Sequence, residues 1–223
     1  MKTIVLVHGA WADGSSWDKV APLLIDKGHK VVAVHLPLSS LADDVAAVRR
    51  VIRPQTEPVL LVGHSYGGVV ITEAGNDDKV TGLVYVAAFG PDAGESINDL
   101  GKGGPVPEWA KTMKVEDSYA VLSPEAIANE FAQDLPAADQ RLLAAKQGWI
   151  ATAAFDAKPS KAAWKTKRAW YVQAVNDRMI PPAAEEQMAK RMKAKVTSLA
   201  ASHVAMLSKP REVAAVILEA ASA

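Results

Sequence analysis

The stretch Gly63–Gly67 has the sequence Gly-His-Ser-Tyr-Gly and directly follows the apolar run Val59–Val62. A serine between two glycines at the end of a buried strand is typical of a nucleophile elbow, a strained turn from strand to helix that presents the hydroxyl away from the sheet. Glycine is needed on both sides because neighbouring backbone must pass close by. We therefore predict that Ser65 is a nucleophile.

A serine hydroxyl is a poor nucleophile at neutral pH, so Ser65 needs a histidine base and a carboxylate that orients this base. The apolar run 169–175 predicts a buried strand that ends just before Asp177. This placement favours Asp177 as the orienting acid. Asp92, which follows an earlier predicted strand, is the alternative acid.

His203 is the candidate base. It follows the short apolar run 196–200. Ser208 and Pro210 come soon after it and are typical of an N-cap and the first turn of a helix. His203 is therefore predicted to lie on a loop between a strand and a helix.

The turn after the first predicted strand is the candidate oxyanion hole. The apolar run Thr3–Val7 leads into the turn His8–Trp11. If this strand is parallel to the strand before Ser65, the turn lies at the same edge of the sheet. We predict that the backbone N–H groups of Ala10 and Tyr66 face the oxyanion of a tetrahedral intermediate. His8 and His64 are interpreted as structural residues that bond nearby backbone.

Composition narrows the possible functions. The chain has 223 residues, which suits a single domain over 1–223, and its 25 acidic and 25 basic residues give a formal net charge of zero. No stretch of the sequence collects enough Lys or Arg to bind nucleic acid, so we do not expect a nucleic-acid partner. The chain has no cysteine, which excludes disulfides and thiolate chemistry, and its five histidines show no metal-binding spacing. We expect neither a cofactor nor a metal.

The N-terminal apolar run is interrupted by His8 and Gly9, so it is too short for a signal-peptide core or a membrane span. We expect a cytoplasmic protein with no membrane partner. No feature of the sequence indicates an oligomeric state.

Short apolar runs alternate with amphipathic stretches along most of the chain. This alternation predicts a parallel sheet of mostly six strands with helices on both faces. The predicted strands lie near 3–7, 30–35, 58–63, 80–87, 169–175 and 195–200.

The segment 91–163 has several helix signals and no convincing strand, and we interpret it as an inserted helical lid. We call this segment the lid. Its aromatic side chains either line a pocket or anchor the lid to the sheet. The predicted substrate pocket comprises Trp11, Trp109, Met113, Phe131, Trp149 and Met179.

These motifs together resemble the α/β-hydrolase superfamily over nearly the whole chain, and the order Ser65, Asp177, His203 is the order found there. The resemblance is greatest to the small branch of plant methyl esterases, hydroxynitrile lyases and bacterial esterase relatives, which lacks the first two strands of the larger superfamily sheet. The matching stretches are 7–11 with Trp17, 63–68, 176–182 and 202–207.

The chain departs from the lyases of that branch at two positions. Gly9 stands where the lyases have threonine, and Val204 stands where they have lysine. Both departures favour an esterase. A third departure is the short segment Leu36–Ser40, where relatives have a longer loop, and this difference would open one side of the pocket.

The predicted function is therefore hydrolysis of small carboxylic esters through an acyl-enzyme on Ser65. The alternatives are a hydroxynitrile-lyase-like enzyme, a hydrolase of C–C bonds that uses the same triad, and a ligand-sensing module with little turnover.

Overall fold

The computed structural model describes residues 2–223, so Met1 of the predicted 1–223 domain lies outside the described residues. Strands β1 to β9 are numbered along the chain. Six parallel strands form the main sheet in the order β2-β1-β3-β4-β8-β9. They are β1 Thr3–Val7, β2 Lys30–Val34, β3 Val59–Ser65, β4 Val80–Ala88, β8 Arg168–Ala174 and β9 Lys195–Leu199. The predicted six-stranded parallel sheet is confirmed.

Helices cover both faces of this sheet. Helices α2 and α3 pack against each other, and α10 packs on β4 and β8 together with α1. No helix within residues 2–223 has the length and apolar content to cross a membrane. The helices are α1 Ala21–Ile25, α2 Leu41–Ile52, α3 Gly67–Ala74, α4 Ile97–Leu100, α5 Glu108–Lys111, α6 Pro124–Ala126, α7 Ala137–Lys146, α8 Pro182–Arg191, α9 Ala205–Ser208 and α10 Pro210–Ser222.

The sheet centre is buried on both faces. Every residue of β1 and β3 is buried, as is every residue of β4 except Thr81. Strands covered on both faces have continuous apolar sequences rather than alternating ones. This burial explains why the sequence shows these strands so clearly.

The predicted N-cap at Ser208 is wrong. Ser208 is the last residue of α9, and α10 begins at Pro210 with Lys209 at its N-cap and no side-chain cap bond. The hydroxyl of Ser208 is buried without a hydrogen-bond partner. The one-turn helix α9 occupies the place of the predicted loop, and Ser208 ends this helix instead of capping α10.

The lid contains a small sheet that the sequence analysis missed. Strands β5 Lys114–Glu116, β6 Tyr119–Val121 and β7 Ile150–Ala151 form an antiparallel sheet beside the short helices α4 to α7. These strands are two or three residues long, and β5 is exposed throughout. Such short strands have no hydrophobic period from which to predict them.

The segment Leu36–Ser40 is partly buried and contacts the lid. Leu38 is buried, and its carbonyl accepts a hydrogen bond of 2.8 Å from the Ala151 N–H of β7. The expectation that this short segment opens one side of the pocket stays a prediction.

Candidate active site

Ser65 lies at the turn between β3 and α3. It is the last residue of β3, and α3 begins two residues later at Gly67. Its φ of 52° is in the left-handed region that non-glycine residues rarely adopt. A Cβ at Gly63 would lie 2.6 Å from the carbonyl oxygen of Gly67, so this turn requires glycine. The backbone geometry is that of a nucleophile elbow.

The turn after β1 borders this elbow. A Cβ at Gly67 would lie 2.6 Å from the His8 carbonyl oxygen, and one at Gly9 would lie 2.7 Å from Ser65 Cβ. Both backbones therefore approach as closely as glycine permits. The Ala10 and Tyr66 amides lie at this junction, and within residues 2–223 neither donates to turn or loop backbone. Their predicted role as oxyanion donors stays a prediction.

The side chains of Asp177 and His203 meet in the interior. His203 Nδ1 lies 2.6 Å from Asp177 Oδ2, and both side chains are almost wholly buried. The other carboxylate oxygen, Oδ1, accepts hydrogen bonds from the N–H groups of Met179 at 2.7 Å and Ile180 at 3.0 Å. Three donors thus hold the carboxylate, which keeps the proton of a neutral imidazole on Nδ1 and leaves Nε2 free to act as a base.

The Ser65 hydroxyl forms no hydrogen bond with His203 in this structure, although the ring of the preceding residue, His64, lies 4.7 Å from the His203 ring. Side-chain bonds between a nucleophile and its base are often loose without substrate and tighten when it binds. His64, directly before Ser65, bonds the backbone of His203 at 2.9 Å. The elbow and the His203 loop are therefore joined directly.

Asp92, the alternative acid, contacts Lys165 rather than His203. Its carboxylate forms an ion pair of 2.5 Å with Lys165, and this hydrogen bond lowers the pKa of Asp92. The carboxylate that contacts the His203 ring is that of Asp177.

His8 and His64 bond backbone, as predicted for structural residues. His8 Nδ1 donates to the Gly9 carbonyl and Nε2 accepts from the Leu36 N–H, each at 2.9 Å, which specifies one neutral tautomer. Nε2 of His64 donates to the His203 carbonyl. Burial lowers the pKa of His8 and holds the pKa of His64 well below its ordinary value. Neither ring is suited to carry a proton in catalysis.

Aromatic side chains of the lid converge on the turn after β1. The Trp11 indole donates to the Ala120 carbonyl of β6 at 3.1 Å, and its ring packs 5.4 Å from that of Trp109 and 5.8 Å from that of Phe155. Trp11 also has a positive φ of 57°. Trp11 is directly next to Ala10, so the lid contacts the candidate oxyanion turn.

The other predicted pocket residues are distributed unevenly. The Phe131 ring packs edge-on 5.2 Å from that of His203, and the Met179 carbonyl accepts a hydrogen bond from the Trp109 indole. Met113 is half-buried against the core. Trp149 is 41% exposed, so its side chain lies apart from the buried aromatic cluster.

A family model described as "Alpha/beta hydrolase family" matches residues 4–216. The chain belongs to the alpha/beta hydrolase family. Methylesterase 8 of Arabidopsis thaliana is 32% identical over 62% of this chain and 57% of its own length. The carbendazim hydrolyzing esterase of Nocardioides sp. is 35% identical over 45% of this chain and 47% of its own length. The chain thus spans about half the length of these relatives.

The crystal structure of a pyrethroid hydrolase from Sphingobium faniae has the same fold, with a TM-score of 0.85 and 24% identity over 100% of this chain and 98% of that one. The predicted resemblance to plant methyl esterases and bacterial esterases is confirmed.

Asp44 is a buried carboxylate that the sequence analysis missed. It accepts hydrogen bonds from the Tyr66 hydroxyl at 2.7 Å and from the Leu38 N–H at 2.8 Å. Burial raises the pKa of Asp44, whereas both hydrogen bonds lower it. Leu41 and Val48 on the same helical face were a signal that Asp44 points inward. Asp44 thus anchors the side chain of Tyr66, and the backbone N–H of Tyr66 is a candidate oxyanion donor.

The lid also binds the loops that carry the acid and the base. Asp134 accepts a hydrogen bond of 2.8 Å from the N–H of Ser202, directly before His203. Gln133 donates to the carbonyl of Asn176, directly before Asp177, at 2.7 Å. The contacts of Gln133 and Asp134 join segments that are far apart in sequence, and no sequence motif predicts them. Within residues 2–223, no group of three His, Cys, Asp or Glu side chains could hold a metal ion.

Proposed function

We propose that this protein hydrolyses small carboxylic esters through an acyl-enzyme on Ser65. The observation that carries the proposal is the buried 2.6 Å contact between His203 and Asp177 beside a serine held at a φ of 52°. The relatives named methylesterase and carbendazim hydrolyzing esterase support an ester as the substrate class.

In the first half of the reaction, His203 Nε2 accepts the proton of the Ser65 hydroxyl while Oγ attacks the ester carbonyl carbon. The Ala10 and Tyr66 N–H groups bind the resulting oxyanion. Asp177 stabilises the imidazolium. The intermediate then collapses, and His203 gives the proton to the departing alcohol.

In the second half, a water molecule gives a proton to His203 and attacks the acyl carbonyl. The second tetrahedral intermediate releases the carboxylic acid and returns the proton to Ser65.

Two features of the site argue against the lyase alternative. A side chain at Gly9 would begin 2.7 Å from Ser65 Cβ, so the threonine of the lyases has no space here without a shift of the elbow. Val204 is 1% exposed, and an apolar side chain there cannot stabilise a departing cyanide.

The proposal is tested by steady-state hydrolysis of p-nitrophenyl acetate, with mandelonitrile cleavage measured in parallel. Ser65→Ala should abolish ester turnover, whereas Ser198→Ala, at an exposed position of β9, should leave it unchanged. Mandelonitrile cleavage as fast as ester hydrolysis would support the lyase instead. Ligand binding without multiple turnovers would support the sensing module.

A further inference from the structure

Glu185 is a buried carboxyl group that the proposed mechanism does not use. It lies in the first turn of α8, and its side chain is completely inaccessible to solvent. One oxygen, Oε2, accepts a hydrogen bond of 3.1 Å from the Ala174 N–H at the end of β8. The other oxygen, Oε1, is buried and has no partner that donates to it.

The neighbour of this carboxyl group is Asp177. Both residues are bonded to Ala174, because its N–H donates to Glu185 Oε2 and its carbonyl accepts a hydrogen bond of 3.0 Å from the Asp177 N–H. This shared contact places the two buried carboxyl groups beside each other. Two ionised carboxylates would have no proton to share and would repel each other at this depth. A single proton between them removes the repulsion and gives Oε1 of Glu185 a partner.

The hydrogen-bond donors determine which group keeps the proton. Asp177 already accepts from His203, Met179 and Ile180, and donors of this kind favour the charged form. Glu185 accepts from one backbone N–H only. The negative charge therefore resides on Asp177 and the proton on Glu185.

Within residues 2–223, Glu185 forms no ion pair with a Lys, Arg or His side chain. From β8 it faces Tyr171, and from the loop after β8 it faces Asp177, which in turn contacts His203. Burial, together with the charge on Asp177, raises the pKa of Glu185 to about 10. Burial raises the pKa of Tyr171 well above its ordinary value, and its hydroxyl donates to the Ala88 carbonyl.

We propose that Glu185 is a positioning residue, held protonated, whose carboxyl O–H donates to the Asp177 carboxylate and thereby maintains the charge and orientation of Asp177 opposite His203. The expected effect of Glu185 on catalysis rests on the proposed ester hydrolysis, whereas its protonation state does not depend on that function.

Two substitutions distinguish the hydrogen bond that Glu185 donates from the packing of its side chain. In Glu185→Gln the amide N–H₂ can donate to Asp177 while the amide oxygen accepts from Ala174, and this side chain does not titrate. Glu185→Leu removes both functions. Glu186→Gln is the matched control, because Glu186 is the next residue of α8 and is exposed.

The first measurement is the pH profile of kcat and KM for p-nitrophenyl acetate. Wild type and Glu186→Gln should lose activity near pH 10, where Glu185 ionises and a second charge appears beside Asp177. Glu185→Gln should retain kcat at pH 7.5 and lack this alkaline decline. Glu185→Leu should lower kcat roughly tenfold with little change in KM.

The second measurement does not depend on activity. The infrared spectrum of the wild-type protein at pH 8 should contain the carbonyl stretch of one protonated carboxylic acid that is absent from Glu185→Gln. A protein that shows this band but hydrolyses no ester would retain the inference about Glu185 and refute the proposed function.

Three results would overturn the inference. They are the absence of the infrared difference, an unchanged alkaline decline in Glu185→Gln, and a Glu185→Leu variant with wild-type kcat. Because Glu185→Gln preserves shape and hydrogen bonding, a folding failure of Glu185→Leu alone leaves the first two results decisive.

Discussion

Because Gly9 has no side chain, the turn after β1 can pass close to Ser65. A Cβ there would lie 2.7 Å from Ser65 Cβ and 3.0 Å from the His64 carbonyl oxygen. Gly9→Ala should therefore displace the elbow from the Ala10 amide and lower kcat/KM for p-nitrophenyl acetate about 100-fold. It should not create mandelonitrile cleavage.

Gly101→Ala is the control for this substitution, because its nearest neighbour, the Ile97 carbonyl oxygen, would lie 3.8 Å from the new Cβ. If Gly9→Ala kept wild-type turnover, the close packing between turn and elbow would have no role in catalysis.

Tyr66 combines a candidate oxyanion amide with a buried hydroxyl that donates to Asp44. Tyr66→Phe removes this donor and leaves a buried carboxylate with one hydrogen bond fewer. We expect the free energy of unfolding, measured by urea denaturation, to fall by about 1 to 3 kcal/mol. Tyr119→Phe, in the lid strand β6, is the comparison. An equal loss in both variants would show that Asp44 does not depend on Tyr66.

The positions of Ser65, Asp177 and His203 at or after the ends of strands were predictable because each lies at the end of an apolar run or shortly after one. Asp44 and Glu185 were not assigned, because carboxylates in amphipathic helices usually face solvent. Glu185 is buried only because α8 packs on β8 beside Asp177, and no local pattern encodes that contact.

Asp134 connects the lid to the loop that carries His203. Its carboxylate accepts from the Ser202 N–H. Asp134→Ala should loosen this loop and lower kcat about tenfold, whereas Asp134→Asn, which retains an oxygen acceptor, should restore most of the activity. Asp139→Ala, which removes an exposed ion pair with Lys19, is the control. Equal kcat in Asp134→Ala and Asp139→Ala would exclude a role of the lid in placing the base.

The strands of the main sheet agree with the predicted ranges to within two residues at each end. The central strands β1, β3 and β4 were predictable because burial makes their sequences almost continuously apolar. The lid strands could not be predicted for the opposite reason. Residues 114–116 are exposed, and β7 is only two residues long. The pairing of β6 with β7 depends on contacts between segments about 30 residues apart in sequence, such as Tyr119 with Ala151.

Folding stability should respond to pH through Glu185. Its pKa is raised from an ordinary value of 4.5 in the unfolded chain to about 10 in the native state. Between these values the native state holds one proton more, so the free energy of unfolding decreases as pH rises. In urea denaturation the wild-type protein should therefore lose stability relative to Glu185→Gln between pH 6 and pH 9. Parallel stability curves would contradict a protonated Glu185.

The most direct test of the proposed mechanism is intact-mass spectrometry after treatment with a fluorophosphonate, which reacts only with an activated serine. We predict one adduct on wild type and on Ser198→Ala, and none on Ser65→Ala. An adduct on Ser65→Ala, or a folded wild-type protein without one, would contradict Ser65 as the nucleophile.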